Sequence, residues 1–303
     1  MDQVALVVGE ALVDVVHRAD GSVTEFAGGS AANVAVALSR LERGIRFATA
    51  FTDDAYGELI RTHLDRSGVR LASDPAAIAH TSSAVATIGA DGSASYVFDI
   101  DWQLHPLEPD LDPVAVHTCS LGAVLSPGCD DVVEMLSRFR RSATITYDIN
   151  ARPSITGAGP DVVARVERVA ALADVVRASD EDLEALYPDR SLVESARALR
   201  ALGPAAVVVT RGGDGALWVA DAGEGEVASQ PVTVADTIGA GDTFGAALID
   251  GLWSRDLLGA DRRSRLAGMG GADWVAVLEY AARAAAVTVS RPGADPPYRH
   301  ELA

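Results

Sequence analysis

The stretch Val234-Ala235-Asp236-Thr237-Ile238-Gly239-Ala240-Gly241-Asp242-Thr243-Phe244-Gly245-Ala246-Ala247 passes from a glycine-rich turn straight into an apolar segment. A turn of that kind opening a helix leaves backbone N–H groups, here those of Ala240 to Thr243, unpaired and pointing outward, where they attract an anion. An aspartate beside such a nest opposes a passive phosphate cradle by its charge. Asp242 makes chemical sense there if its carboxylate faces a nucleophilic hydroxyl while the amides face a phosphoryl group. The alternative is that Asp242 only caps the helix.

Three more segments carry usable chemistry. In Gly28-Gly29-Ser30-Ala31-Ala32-Asn33 two glycines allow another molecule close to the backbone. Asn33 adds a donor and an acceptor from the first turn of a helix, the means to grip hydroxyl groups; a tight turn packing small residues on a sheet is the competing reading. In Val207 to Ala216 a strand ends in Thr210-Arg211-Gly212-Gly213-Asp214-Gly215 and a second strand, Ala216 to Val219, follows. That order weighs against a dinucleotide fold, which needs a helix after its glycines. The loop suits a nucleotide's phosphates or ribose, or is a plain hairpin. Asp148-Ile149-Asn150-Ala151-Arg152-Pro153 sets polar groups just beyond a strand's carboxyl end, where ligands of open α/β sheets collect, unless it is a surface turn.

The elements that position these segments alternate. Strands are expected at Val4 to Val8, Ser120 to Leu125, Thr144 to Asp148, Asp174 to Arg177 and Ala205 to Thr210. Helices are expected at Ala31 to Leu41, Ala55 to Ser67, Asp130 to Arg141, Asp161 to Leu172, Leu192 to Leu202, Thr243 to Trp253 and Val275 to Val289. Ser179 precedes Asp180, Glu181 and Asp182, a helix cap followed by acids that suit the positive end of the dipole. Strands separated by helices imply a doubly wound, mostly parallel α/β sheet in a single domain, residues 1–303. Two hairpins interrupt the pattern, Ala11 to His17 with Val23 to Phe26, and Ser83 to Gly89 with Ala94 to Ile100, turning at Asp20-Gly21 and Asp91-Gly92. Paired together, segments 11–27 and 83–101 would make a small β-sheet lid. Arg255 to Asp273 reads as a surface loop.

Composition closes off several alternatives. Of 303 residues, 49% are hydrophobic and 22% charged, an ordinary globular balance. All 25 basic residues are arginine, which removes the Walker A lysine, the protein-kinase strand lysine and Schiff-base chemistry. A net charge of −18 weighs against nucleic-acid and anionic-membrane surfaces. No apolar run is long enough to span a membrane. Met1-Asp2-Gln3 carries acid where a secretory signal carries base, so the expected location is cytoplasmic. Cys119 and Cys129 are too few for a disulfide framework and lack zinc-site spacing.

Taken in order, the four segments resemble the ribokinase-type carbohydrate kinases, the phosphofructokinase B family, over nearly the whole chain. Gly28 to Leu41 is similar to that family's N-terminal signature, and Asp236 to Gly251, with its Gly-Ala-Gly-Asp core, to its C-terminal one. Gly9 to Asp14, Asp148 to Pro153, Ala178 to Leu183, Ser290 to Asp295 and Ile238 most resemble the bacterial fructokinase branch. The resemblance implies the ribokinase-like fold and ATP-dependent phosphorylation of a sugar, D-fructose first, with ribose, 2-keto-3-deoxygluconate or a nucleoside as alternatives and a non-catalytic sugar-binding protein as the rival outside enzymes. It implies that Asp242 is the base and that Gly239, Ala240 and Gly241 form the anion hole. Asp14, Gly28, Gly29, Asn33 and Arg152 would bind sugar. Thr210, Arg211, Gly212, Gly213, Asp214 and Gly215 would line the nucleotide, with Ala282 to Ser290 over the adenine. Mg²⁺ would lie near Asp182 and a monovalent cation such as K⁺ near Asp236. The partners implied are a sugar and ATP; separately, the exposed faces of the two hairpins suit a homodimer formed through the lid. The family's Asn-x-x-Glu reads Ser179-Asp180-Glu181-Asp182 here, so an amide is missing and the acid has a shorter arm.

Overall fold

A computed structural model describes residues 3–89 and 94–302, so the turn expected at Asp91-Gly92 lies outside the described residues. The strands are β1 (Val4–Val8), β2 (Leu12–His17), β3 (Val23–Gly28), β4 (Gly44–Ala48), β5 (Arg70–Leu71), β6 (Ser83–Ile88), β7 (Ala94–Asp99), β8 (Ala115–Cys119), β9 (Thr144–Asp148), β10 (Val175–Ser179), β11 (Ala206–Thr210), β12 (Ala216–Ala220) and β13 (Gly223–Val227). Nine of them form one sheet in the order β13-β12-β11-β10-β9-β8-β1-β4-β5. Pairing is parallel from β11 to β5, while β12 and β13 close the other edge antiparallel.

Parallel neighbours need crossovers, and helices on both faces supply them. Side chains alternate across each strand, so Ala5 and Val7 pack on one face and Leu6 and Val8 on the other. The first face is covered by helices Ser30–Arg40, Ala240–Trp253 and Gly271–Val289; the second by Gly128–Phe139, Pro160–Ala170 and Leu192–Arg200. Because both faces are dry, β1 and β11 are continuous apolar runs.

The two hairpins join as a separate four-stranded sheet, β3-β2-β6-β7. Its centre is a parallel pairing of β2 with β6, from Val13 opposite Ser83 to His17 opposite Thr87. Val23, Phe26, Tyr96 and Val97 on its outer strands are solvent-exposed.

Three expectations change. Ser120 to Leu125 is not a strand: β8 ends at Cys119 and Ser120–Val124 is a buried helix. The strand was hidden by its own polar residues, for His117 and Thr118 are buried and His117 Nδ1 lies 3.0 Å from Thr146 Oγ1 on β9. At Ser120, φ of 51° ends the extended backbone. The Arg255 to Asp273 segment is not a plain loop, since it contains a helix at Arg263–Ala267 and buries Leu257, Leu258, Leu266 and Met269. β4, β5 and β13 were missed; β13 is a Gly-Glu-rich edge strand with little intrinsic strand propensity.

Candidate active site

The carboxyl ends of β1, β8, β9, β10 and β11 open into a cleft of about 1070 Å³. Ligands gather there in open α/β sheets because the loops and helix N-termini converge on that edge. The small sheet reaches the same cleft through Leu12, Asp14, Ala84 and Phe98.

Asp242 sits in the first turn of helix Ala240–Trp253, 7% exposed. Ser30 Oγ donates to its Oδ1 across 2.5 Å and Asn33 Nδ2 to its Oδ2 across 2.8 Å. Asn150 Nδ2 in turn donates to Ser30 Oγ at 2.7 Å. Burial pushes the Asp242 carboxyl above the ordinary range, opposed by the Ser30 and Asn33 bonds and by the positive charges of Arg152 and Arg177. A carboxylate so placed is fixed in direction and is a better proton acceptor than one in water.

The turn before it is shaped by glycine. Gly239 has φ of 72°, a left-handed conformation that side chains other than glycine adopt at a cost. Not every amide expected to be free is free: Ala240 N–H bonds Thr237 O at 3.2 Å and Thr243 N–H bonds Gly239 O at 2.9 Å, because the left-handed turn folds back on itself. The N–H groups of Gly239, Gly241 and Asp242 have no partner among the described residues, and all three residues line the cleft.

Below this corner lies a buried ion pair that sequence reasoning missed. Arg177 Nη1 donates to both oxygens of Asp148, at 3.1 and 3.0 Å, with the side chains 9% and 1% exposed. Its Nη2 donates to Thr210 Oγ1. Burial pushes the Asp148 carboxyl up to about 7, against the pull of Arg177. The signal was available, because an arginine inside the strand run Val175-Val176-Arg177-Ala178 needs a partner if the strand is buried.

Two further acids line the cleft beside the small sheet. Glu10, also missed, is 4% exposed and accepts the Gly122 N–H at 2.8 Å; burial pushes it up to about 7. Burial pushes Asp14 up to about 6, with Arg152 opposing. Of the five expected sugar ligands, Asp14, Gly29, Asn33 and Arg152 line the cleft. Gly28 does not; a Cβ there would lie 2.4 Å from Asp14 Oδ2, so its role is to leave that carboxylate room.

At the opposite end Thr210, Gly212, Gly213 and Gly215 line the cleft, together with Ala282, Ala285, Ala286 and Val289 of the last long helix. Arg211 and Asp214 are not on that wall; the Arg211 guanidinium pairs with Glu226 on β13 at 3.1 Å. Asp182 is 5% exposed and its two oxygens accept the N–H groups of Ala151 and Ser179, each at 2.7 Å, the second closing a capping box with Ser179. Asp180 and Glu181 stand beside it on the cleft wall. Trp102 is buried, with Nε1 donating to Gly122 O at 3.1 Å. Among the described residues no helix is long and apolar enough to cross a membrane.

A mostly parallel sheet with an acid-bearing anion corner at its carboxyl edge, beside a second small sheet, defines a ribokinase-like phosphotransferase fold. Residues 2–301 match the family model described as pfkB family carbohydrate kinase. A fructokinase of Rhizobium leguminosarum bv. trifolii is 34% identical over 264 residues, covering 82% of this chain and 80% of that protein. An aminoimidazole riboside kinase of Salmonella typhimurium is 29% identical over 259 residues, covering 80% and 79%. Among solved structures, fructokinase with bound ATP from Xylella fastidiosa superposes with a TM-score of 0.84 at 24% identity, covering 100% and 98%. Aminoimidazole riboside kinase from Salmonella enterica, complexed with aminoimidazole riboside and an ATP analogue, gives 0.77 at 26% identity, covering 99% and 98%. The chain belongs to the pfkB family of carbohydrate kinases.

Proposed function

We propose that this kinase transfers the γ-phosphoryl group of ATP to the primary hydroxyl of D-fructose, giving fructose 6-phosphate. The observation that carries the reading is the Asp242 carboxylate, held by Ser30 and Asn33 beside the unpartnered amides of Gly239 and Gly241. Phosphoryl transfer runs in line through a loose transition state, so the protein mainly positions the reactants and stabilises charge. Asp242 orients the sugar hydroxyl and accepts its proton as the new O–P bond forms. The amides of Gly239 and Gly241, and that of Ala240 once it is released from Thr237, bind the transferring group. Asp14, Gly29, Asn33 and Arg152 hold the sugar; Thr210, Gly212, Gly213 and Gly215 take the nucleotide, with the adenine against Ala282, Ala285, Ala286 and Val289.

Fructokinase is the name carried by the Rhizobium relative and by further relatives from Vibrio alginolyticus and Klebsiella pneumoniae. A nucleoside needs an aromatic stacking surface, and Phe98 is the one aromatic of the small sheet on the cleft wall. A sugar acid would bring negative charge toward Glu10 and Asp14, where the opposing cation is the solvent-exposed Arg152. We read the small sheet as a lid that closes over the sugar, and its exposed apolar face as a homodimer surface.

No group of three or more His, Cys, Asp or Glu side chains among the described residues forms a protein cage for a metal. The donor set fits Mg²⁺ carried on the nucleotide phosphates, with Asp182 and its neighbours Asp180 and Glu181 holding its waters. Bound there, the ion would neutralise phosphate charge. Asp236, whose oxygens accept the N–H groups of Ile238 and Gly293 at 3.0 and 2.9 Å, is the proposed neighbour of a monovalent cation.

An ADP-release assay with fructose, ribose, 2-keto-3-deoxygluconate and adenosine tests the reading. Fructose is expected to give the highest kcat/KM by at least tenfold. Equal or faster turnover of another acceptor would remove fructose as the substrate.

A further inference from the structure

We infer that Arg177 is a positioning residue for phosphoryl transfer: its buried guanidinium seats the Gly241 corner and supplies there the positive charge that no lysine provides. The inference rests on reading the Gly239 to Asp242 turn as the place where the phosphoryl group is held.

Three observations carry it. First, the contact with Gly241 is direct. A Cβ built on Gly241 would lie 3.0 Å from both Nη1 and Nη2 of Arg177 and 3.3 Å from its Cζ. Gly241, unlike Gly239, does not have a positive φ, so the backbone conformation does not demand glycine there. What demands it is the guanidinium lying against its Cα. The two glycines of Gly-Ala-Gly are therefore needed for different reasons.

Second, the guanidinium is fixed from several sides. Asp148 holds Nη1 and Thr210 takes Nη2, which ties the ends of β9 and β11 to the middle of β10 under one corner. A planar fork held this way is pre-organised, so it need not reorient as charge develops on the phosphoryl oxygens.

Third, the charge around the corner requires it. Asp148, Asp182 and Asp242 all act on Arg177, and Glu10 and Asp14 face the same cleft. An anionic phosphoryl group entering beside these carboxylates is repelled unless a cation offsets them. Arg152 also acts on Asp242, Glu10 and Asp14, but it is solvent-exposed with its Nη1 on the Asn150 and Ala151 carbonyls, so salt and water screen it more than they screen Arg177. Arg177 is the buried arginine on the cleft wall, where Coulomb interactions are strongest. It exchanges no proton and forms no bond in the reaction.

The test compares Arg177→Lys, Arg177→Gln and the double variant Arg177→Gln/Asp148→Asn, which leaves no unpaired buried charge. Melting temperature, kcat and both KM values are measured with whichever sugar the wild type turns over, and ADP release to water is followed in parallel. Arg177→Gln is expected to lower kcat on the order of 10²-fold with sugar KM within about threefold, the size expected for loss of a pre-organised charge donor. Arg177→Lys is expected to recover at least tenfold of that loss. The double variant is expected to melt near the wild type and remain slow. Adding Gly241→Ala should slow the wild type more than it slows Arg177→Gln, because its methyl group acts through the guanidinium. Wild-type kcat in the double variant, or Arg177→Lys as slow as Arg177→Gln, would overturn the proposal; if the Gln variants do not fold, Gly241→Ala is compared in the wild type and in Arg177→Lys, which lacks the planar fork the methyl group meets, and equal losses in the two would overturn it. A wild type that prefers another sugar contradicts the fructose reading and leaves Arg177 measurable on that sugar.

Discussion

Asn33 Nδ2 donates to Asp242 Oδ2 across 2.8 Å, joining the first turns of two helices whose residues lie 209 positions apart. Ser30, one turn earlier on the same helix, holds the other oxygen. The proposed base and the proposed sugar-binding segment therefore form one hydrogen-bonded unit. Both helices start at the carboxyl edge of the sheet, so the fold brings together two signatures that neither end of the chain could assemble alone.

Asp242→Asn keeps the size of the side chain and removes its capacity to accept a proton. The variant is expected to lose about 10³-fold or more in kcat while KM for ATP and sugar stay within severalfold. Steady-state kinetics check this; turnover like the wild type's would remove Asp242 from the mechanism.

Asn33→Ala removes a donor to Asp242 and a group facing the cleft. Sugar KM is expected to rise at least tenfold and kcat to fall as the base loses its orientation, with ATP KM changed little. Equal effects on the two KM values would detach Asn33 from the sugar.

Glu10 is pushed up to about 7 by burial, from 4.5. The folded state then binds a proton that the unfolded state has released, so this group makes stability fall as pH rises from about 4.5 to about 7. Glu10→Gln keeps an acceptor for the Gly122 N–H and has no charge to bury. Its melting temperature relative to the wild type is expected to climb through that window and level off above it; a difference independent of pH would contradict the assignment.

His117 behaves in the opposite sense. Burial holds its imidazole neutral, pushed down to about 3 from 6.5. Below about pH 6.5 the unfolded chain takes up a proton that the folded chain refuses, so stability is lost as pH falls, at most about 1.4 kcal/mol per pH unit. Urea titrations between pH 7 and 5 on the wild type and His117→Asn should show a shallower slope in the variant.

Asp250, 1% exposed, accepts from Arg43 and Arg299 at 2.6 Å each and from Tyr280 Oη at 2.7 Å. It pins the C-terminal segment to the helix that carries Asp242. Asp250→Ala removes the shared acceptor of two part-exposed guanidinium groups and a tyrosine hydroxyl and is expected to cost about 2–3 kcal/mol. Denaturant midpoints measure it, and a loss under 1 kcal/mol would show that the cluster is solvated.

The layered sheet was legible because β1 and β11 are short apolar runs, β9 is rich in β-branched and aromatic residues, and the helices between them are amphipathic or alanine-rich. Polar residues in buried strands hid the rest. His117 and Thr118 disguised β8, and Arg177 resembled a strand's end when it lies in the middle of β10. Each is buried because its partner comes from a neighbouring strand, Thr146 for His117 and Asp148 for Arg177. Such pairings depend on strand order, which local spacing does not encode. Ser30 and Asn150 lay inside recognised segments, yet their bonds to and around Asp242 cross more than a hundred residues.

The edge strand β3 ends at Gly28, a single residue before the helix whose first hydroxyl, that of Ser30, grips Asp242. A swing of the small sheet would thus have almost no slack before it tugged on the proposed base. On the proposed lid reading, an acceptor too small to draw the sheet inward would leave that pull unexerted, and water, the most abundant hydroxyl in the cell, is the smallest of all.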